Sequence, residues 1–255
     1  MSLDPRGFAG AELAVEGDAS RGTTTGAALA DLDLFALGRQ AAAARDALLG
    51  RRGSFVRTRQ LLAGGTWRGP RDAAESTVDE ADLDAAGGLD AARKAGVELL
   101  IAARVSPVAR AAADAGLRVV VRVPFKLGES DAARLERLAE IDAAPFAVWG
   151  ALPAPAGEPY GLDTLRLFAQ CRLSLSRVPH LLADVGALGP RLAQMAFGFG
   201  ADELFAPIVA ERALRLGANA HNPSLTRKEA ATLIRGAGLT ACERLGNGAL
   251  EDVTA

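Results

Sequence analysis

From Gly96 onward the chain repeats one pattern: a short apolar run, a polar turn, then a helically spaced segment closed by glycine or a polar break. VELLIAA (97–103), LRVVVRVPF (117–125), PFAVWGAL (145–152), PHLLADVG (179–186) and ADELFAP (201–207) read as strands. The segments 107–115, 130–141, 162–174 and 189–199 between them read as helices, with Ser130 a plausible N-cap. Strands that are apolar without alternation are buried on both faces, which argues a parallel sheet covered by helices. SFVRTRQ (54–60) supplies an earlier strand, giving about six units. That number predicts an α/β fold of the partial (β/α)6 type, a TIM-like barrel with outer helices. A doubly wound open sheet is the alternative, but the chain has no GxGxxG or GxxxxGK(S/T) phosphate loop to support it.

Outside the repeat, residues 27–49 have the leucine spacing of a long helix, closed by Gly50. Residues 61–78 are broken by Gly and Pro and read as a loop. Residues 79–95 read as a helix, with acids early and Arg93 and Lys94 late, the order the helix dipole prefers. Residues 223–239 make a last helix with Ser224 or Thr226 as cap and Gly238 as stop. The whole is expected to be a single domain, with 1–50 a helical extension and 208–255 a cap and tail. A length of 255 residues, 49% of them hydrophobic, suits one barrel-sized core. A net charge of −2 and 5% aromatics argue against nucleic acid or an anionic membrane as partner. The sequence has no apolar run of about 20 residues and its first residues lack a signal-peptide pattern. Two distant cysteines fit a reducing cytoplasm. Arginine outnumbers lysine 26 to 3, which reflects the base composition of a GC-rich genome.

Residues 157–205, GEPYGLDTLRLFAQCRLSLSRVPHLLADVGALGPRLAQMAFGFGADELF, carry a more specific signal. With the opening DLFALGRQAAAARDALLGRRGSFVRTRQ and the tail SLTRKEAATLIRGAGLTACER, this run resembles the menaquinone-pathway branch of the radical S-adenosylmethionine (SAM) enzymes. That branch contains aminofutalosine synthase, dehypoxanthine futalosine cyclase and, more distantly, the deazaflavin synthases. The resemblance implies a barrel holding a [4Fe–4S] cluster on CxxxCxxC after the first strand. Here the corresponding stretch, about 61–76, has no Cys, Met or His. The family's Gly-Gly-Glu, which receives the amino group of SAM, falls near Ala102-Ala103-Arg104, a base in place of an acid. Both the cluster and SAM are therefore expected to be lost, and no other cofactor or metal is expected.

Barrel ligands meet the C-terminal ends of strands. On this reading those ends carry Arg57 and Arg59, Arg104, Arg122 with Lys126, and Trp149, a set expected to bind a carboxylate through guanidinium forks. The alternative is that these arginines face outward and pair with acids such as Glu98 or Glu136. Asp184, Asp202 and Glu203, with Glu211 beyond, are the acid–base candidates; helix capping or neutralisation of arginines is the plainer reading. His180 sits at the start of its strand, the wrong end for catalysis, and His221 in a loop. Cys171 lies on an apolar helix face with Leu167 and Leu175, a core position, and two distant histidines with two distant cysteines make no zinc site. Three functions follow as expectations. The first is a cluster-free barrel binding a small carboxylate, accessory to menaquinone (futalosine) biosynthesis. The second is a non-radical lyase or isomerase, and the third a structural partner of an active radical SAM homologue, in a homo- or hetero-oligomer.

Overall fold

The computed structural model describes residues 29, 32–156, 161–209, 224–246 and 248–253. Helix α1 (Leu34–Leu49) starts where the Asp33 carboxylate accepts the Phe35 and Ala36 amides. It ends at Gly50, whose φ of +71° suits glycine. Its buried face holds Leu37 and Ala41, and also Arg45, whose guanidinium donates to the Phe197 and Ala201 carbonyls of a distant turn.

The first barrel strand is bent. β1 (Arg52–Phe55) and β2 (Thr58–Leu61) are separated only by Val56 and Arg57. β3 (Trp67–Arg68) folds back antiparallel on β2, and β4 (Glu75–Asp79) runs parallel to it. Two short helices, α2 (Glu80–Leu83) and α3 (Gly88–Lys94), then lead into the regular alternation. It comprises β5 (Leu99–Ala102), α4 (Pro107–Asp114), β6 (Arg118–Phe125), α5 (Asp131–Asp142), β7 (Gly150–Pro155), α6 (Gly161–Ser174), β8 (His180–Asp184), α7 (Val185–Ala196) and β9 (Glu203–Phe205). β10 (Ile208–Val209) and β11 (Leu225–Thr226) form a small parallel pair. α8 (Arg227–Gly236), with a Thr226–Glu229 capping box, β12 (Thr240–Arg244) and β13 (Leu250–Asp252) complete the described chain.

The large sheet runs β13-β12-β1-β9-β8-β7-β6-β5-β4-β2-β3. β1 pairs with β9 at one end of that order and β2 with β4 at the other, yet two residues join β1 to β2. The sheet must therefore curl round on itself. The result is the expected α/β partial barrel of parallel strands under outer helices. Its lumen is filled at alternate positions by Leu99, Ile101, Val120, Leu152 and Leu182, flanked by Trp149 and Phe205. Gly150 makes room for this layer: a Cβ there would lie 2.7 Å from Leu182. A larger core outside the strands packs them under the helices, with Phe55, Val119, Val121, Leu138, Leu165 and Phe168 among its members.

Three parts of the sequence reading need correction. The stretch 61–78 is not all loop, because β4 begins within it as a seventh parallel barrel strand. Its buried residues Glu75, Ser76 and Thr77 are polar, so no apolar run marks it. The helix expected over 79–95 is two helices, broken at Gly87 and Gly88, whose φ angles of +97° and +82° are left-handed. The strand expected over 145–152 lies later, at Gly150–Pro155, with Pro153 inside it. His221 and Glu211 lie outside the described residues.

Candidate functional site

Charged side chains gather at both ends of the barrel, and the two ends differ. At the C-terminal end, Arg122 pairs with Asp79 at 2.5 Å. Asp184 caps α7, its carboxylate accepting the Gly186 and Ala187 amides. Burial pushes the Asp184 carboxyl above its ordinary value, only partly opposed by those amides and by the Arg122 guanidinium. Glu80 accepts from the Ala103 amide and the Ser106 hydroxyl, tying the end of β5 to the start of α4.

At the N-terminal end a denser network closes the floor. Glu75 is the first residue of β4 and Glu203 the first of β9; they are 2% and 0% exposed. Arg244, from the end of β12, reaches both: Nε and Nη2 donate to Glu203 at 2.7 and 2.9 Å, and Nη1 to Glu75 at 2.7 Å. Arg118, the first residue of β6, shares Glu75 through Nη2 at 2.7 Å. The Ser54 hydroxyl donates to Glu203 at 3.0 Å. Burial alone would lower the Arg244 guanidinium from its ordinary value; the two carboxylates outweigh it and bring it above that value. Trp149 stands directly before β7, with Arg244 over its ring at 4.6 Å, Arg118 at 5.4 Å and the His180 ring 4.4 Å away. His180 Nδ1 lies 2.8 Å from Asp202, which also accepts from Arg172 Nη2 at 2.5 Å and the Leu181 amide at 2.6 Å. Burial raises the Asp202 carboxyl, but His180, Arg172 and that amide together bring it below its usual value.

Beneath this floor opens a cavity of about 680 Å³, within the range of small-molecule sites. Its walls combine Leu48, Leu49 and Leu250 with Arg52, Arg118 and Arg177.

The structure disperses the side chains that the sequence placed at one mouth. Arg57 and Arg59 share the strand side of Phe55 and Leu61, which face the outer core. Arg57 there pairs with Glu243 at 2.6 Å and Asp72 at 2.5 Å, and Arg59 bonds Ser76 and lies 4.3 Å over Trp67. Arg104 and Lys126 are exposed beyond the ends of β5 and β6. Only Arg122 points along the lumen register, two residues after Val120. Trp149 belongs to the opposite end, because β7 begins after it. Asp202 and Glu203 likewise stand at the start of β9, so only Asp184 of the three acids lies at the C-terminal end. Asp202 and Glu203 do neutralise arginines, and Asp184 does cap a helix, the plainer of the two readings for each. The floor residues that sequence reasoning passed over are Glu75, Arg118, Arg172 and Arg244. Only Arg118 carries a local signal, a charge at a strand start with apolar residues following it, Arg118-Val119-Val120. Arg172 stands on helix α6, and Glu75 and Arg244 have a polar residue or glycine two positions on.

The donor set does not fit the implied cluster. Three thiolates are needed, and the chain has two cysteines. Cys171 is buried in α6, where burial pushes its thiol up to about 12. Cys242 is buried in β12, where burial and Asp252 push its thiol up to about 11. Among the described residues no group of three or more His, Cys, Asp or Glu could hold a metal ion. Among them, too, no helix is long and apolar enough to cross a membrane.

No family model matches the chain. Over 84 residues, 33% of this chain, the sequence is 33% identical to the aminodeoxyfutalosine synthase of Thermus thermophilus. The matched stretch spans 23% of that relative, under a quarter of its length. In fold the chain is similar to methylornithine synthase (PylB), with a TM-score of 0.58 and 11% identity over 84% of this chain and 92% of that one. It is also similar to HydG, a maturase of the [FeFe]-hydrogenase, with a TM-score of 0.55 and 9% identity over 85% of this chain and 71% of that one.

Proposed function

We propose that the chain is a cysteine-poor homologue of the radical SAM enzymes that works without a cluster, a reading supported by its likeness to aminodeoxyfutalosine synthase in sequence and to PylB and HydG in fold. In this reading it is a non-radical barrel that binds a small carboxylate-bearing ligand, accessory to the pathway that includes aminodeoxyfutalosine synthase. The observation that carries the reading is the state of its two thiols. Both are buried, both are held protonated at neutral pH, and they lie on different elements, α6 and β12. Thiolates are the ligands iron–sulfur clusters require, so the scaffold keeps its strands and helices without the anchor for radical chemistry. Arginine-rich ends favour an anionic ligand, since guanidinium forks match carboxylates.

Anaerobic incubation with iron and sulfide tests the first half of this reading. Protein-bound iron well below one cluster per chain is expected, and stoichiometric iron with sulfide overturns it. Thermal melts with a panel of small carboxylates test the second half. A ligand at a hundredfold its Kd adds about 2.7 kcal/mol, or roughly 5–10 °C for a chain of this size. No shift with any carboxylate at millimolar concentration refutes binding.

A second reading has one observation in its favour. Asp184 is a carboxyl raised by burial with Arg122 nearby, the setting of a general acid or base in a lyase or isomerase. A carboxyl titration by NMR with Asp184 at or below the ordinary aspartate value removes this reading.

A further inference from the structure

We propose that the ligand enters at the N-terminal end of the barrel, in the cavity beneath the Arg244 network. We further propose that it is a monocarboxylate with an apolar body, a ring or a chain, fitting a cavity of ordinary small-molecule size. This inference rests on the carboxylate-binding reading and adds to it a site and a ligand class.

The charge balance around the cavity favours an anion. Arg118 spends only Nη2 on Glu75, an acid it shares with Arg244. Its Nε and Nη1 have no partner among the described residues, and its side chain is 25% exposed. Arg52 lies 3.9 Å from Asp252, too far for a hydrogen bond. The Arg177 guanidinium donates to the backbone carbonyls of Asp142 and Ala144, which are neutral acceptors. The acid on the cavity wall, Asp202, is already engaged by Arg172 and His180. Three guanidinium groups thus reach the cavity with donors or charge to spare.

One part of the wall is apolar. Leu48 and Leu49 at the end of α1, Pro179 before β8 and Leu250 at the start of β13 line it. Leu250 is 40% exposed, a large apolar side chain that the described residues leave partly uncovered. A fully ionic ligand would leave this wall wet, and a fully apolar one would leave the guanidinium groups facing it. An amphipathic anion satisfies both surfaces. The Trp149 indole, between the guanidinium groups and the His180 ring, provides an optical reporter at the boundary.

The test is titration of the full chain with 2-naphthoate and octanoate, followed by calorimetry and tryptophan fluorescence. 2-Naphthamide, octanamide and acetate serve as controls. Both carboxylates, or the one whose shape fits, should bind, with the amides and acetate at least about tenfold weaker. Losing a charged hydrogen bond is worth about tenfold to a hundredfold in affinity, so Arg118→Met and Arg52→Met should each show such a loss. Leu250→Glu, a rim change that leaves the buried network intact, should do the same, and Arg122→Met at the far end should not. If carboxylates bind but respond to Arg122→Met and not to the three floor variants, the site assigned here is wrong while carboxylate binding stands. If the amides bind as tightly, the carboxylate class is wrong; if acetate does, the apolar body is wrong. If no carboxylate binds the wild-type chain, the proposed function falls with it.

Discussion

Glu75 is the side chain whose loss should be felt most. It is 2% exposed, accepts from Arg244 at 2.7 Å through Nη1 and 3.3 Å through Nη2, and forms an ion pair with Arg118 at 2.7 Å. Glu75→Gln keeps the volume and one oxygen but turns an NH2 toward guanidinium donors. Arg244 then keeps only Glu203, which it bonds through both oxygens, and Arg118 loses the one carboxylate it pairs with among the described residues. Breaking one side of a buried pair costs about 3–5 kcal/mol. Because Arg244 retains Glu203, the lower end, about 3 kcal/mol, is expected here. Against a total stability of about 5–15 kcal/mol that is a large fraction. It corresponds to a fall in Tm of roughly 6–12 °C. Urea unfolding followed by circular dichroism is the assay: the midpoint should fall with m unchanged. An internal control is Asp114→Asn, which breaks the exposed 3.7 Å pair with Arg110 and should change stability by less than about 0.5 kcal/mol. A Glu75→Gln loss below about 1 kcal/mol, in the range of a surface pair, would refute the account of a buried ionic floor.

Other expected outcomes can be checked on the same protein. Asp202 titrates below its ordinary value when folded, so the unfolded chain binds more protons in that window. Its contribution is present in full above the usual aspartate pKa and is lost as pH falls through the folded value; Asp202→Asn should flatten the acid limb of a stability–pH curve. Asp184 has the opposite sign, since its folded value is raised. Its contribution falls as pH rises through the raised value, so Asp184→Asn should be neutral or stabilising at pH 7 while keeping the cap. The two thiols should resist Ellman's reagent in the native protein and react together in urea, given values of about 12 and 11; prompt reaction of either in the folded chain contradicts their burial. Gly150→Ala should cost about 1–3 kcal/mol in denaturant unfolding, because its methyl would meet Leu182 at 2.7 Å inside the lumen; an unchanged midpoint would mean the lumen layer gives way freely.

The parallel barrel was readable because β5, β6 and β8 are apolar runs bounded by turns and α4–α7 have helical spacing. The long-range ion pairs were not readable for a physical reason. Arg244 meets Glu75 across 169 residues and Glu203 across 41, and nothing in a local window separates a lumen arginine from a solvated one. The same blindness hid β4, whose Glu75 and Thr77 look like loop composition until the partners of Glu75 arrive from β12 and β6. Strand ends were the other weak point. Moving the start of β7 to Gly150 carries Trp149 from the supposed mouth to the floor, and the start of β9 at Glu203 carries two of three acids with it. A strand boundary is a small error in sequence but here it exchanges the two ends of the barrel.

That exchange bears on how the scaffold can hold a ligand at all. A barrel lumen is dry where leucines fill it, as the layer of Leu99, Ile101, Val120, Leu152 and Leu182 does, so its two ends are separate compartments. Burying Arg244 and Arg172, with Arg118 part-exposed beside them, against the buried acids Glu75, Glu203 and Asp202 gives little net stability over an apolar floor. What such a network does supply is fixed orientation. Arg244 is held by four bonds and the Trp149 ring, and Arg118 is anchored at one nitrogen with the others left over. A guanidinium held at one edge and open at the other loses little rotamer entropy when an anion arrives, which is the condition for affinity from a single charge. At the opposite end Arg122 already holds Asp79 beside a second acid, Asp184, so an incoming carboxylate there would have to displace one carboxylate next to another. On charge alone, the floor suits the proposed anion better than the opposite end does.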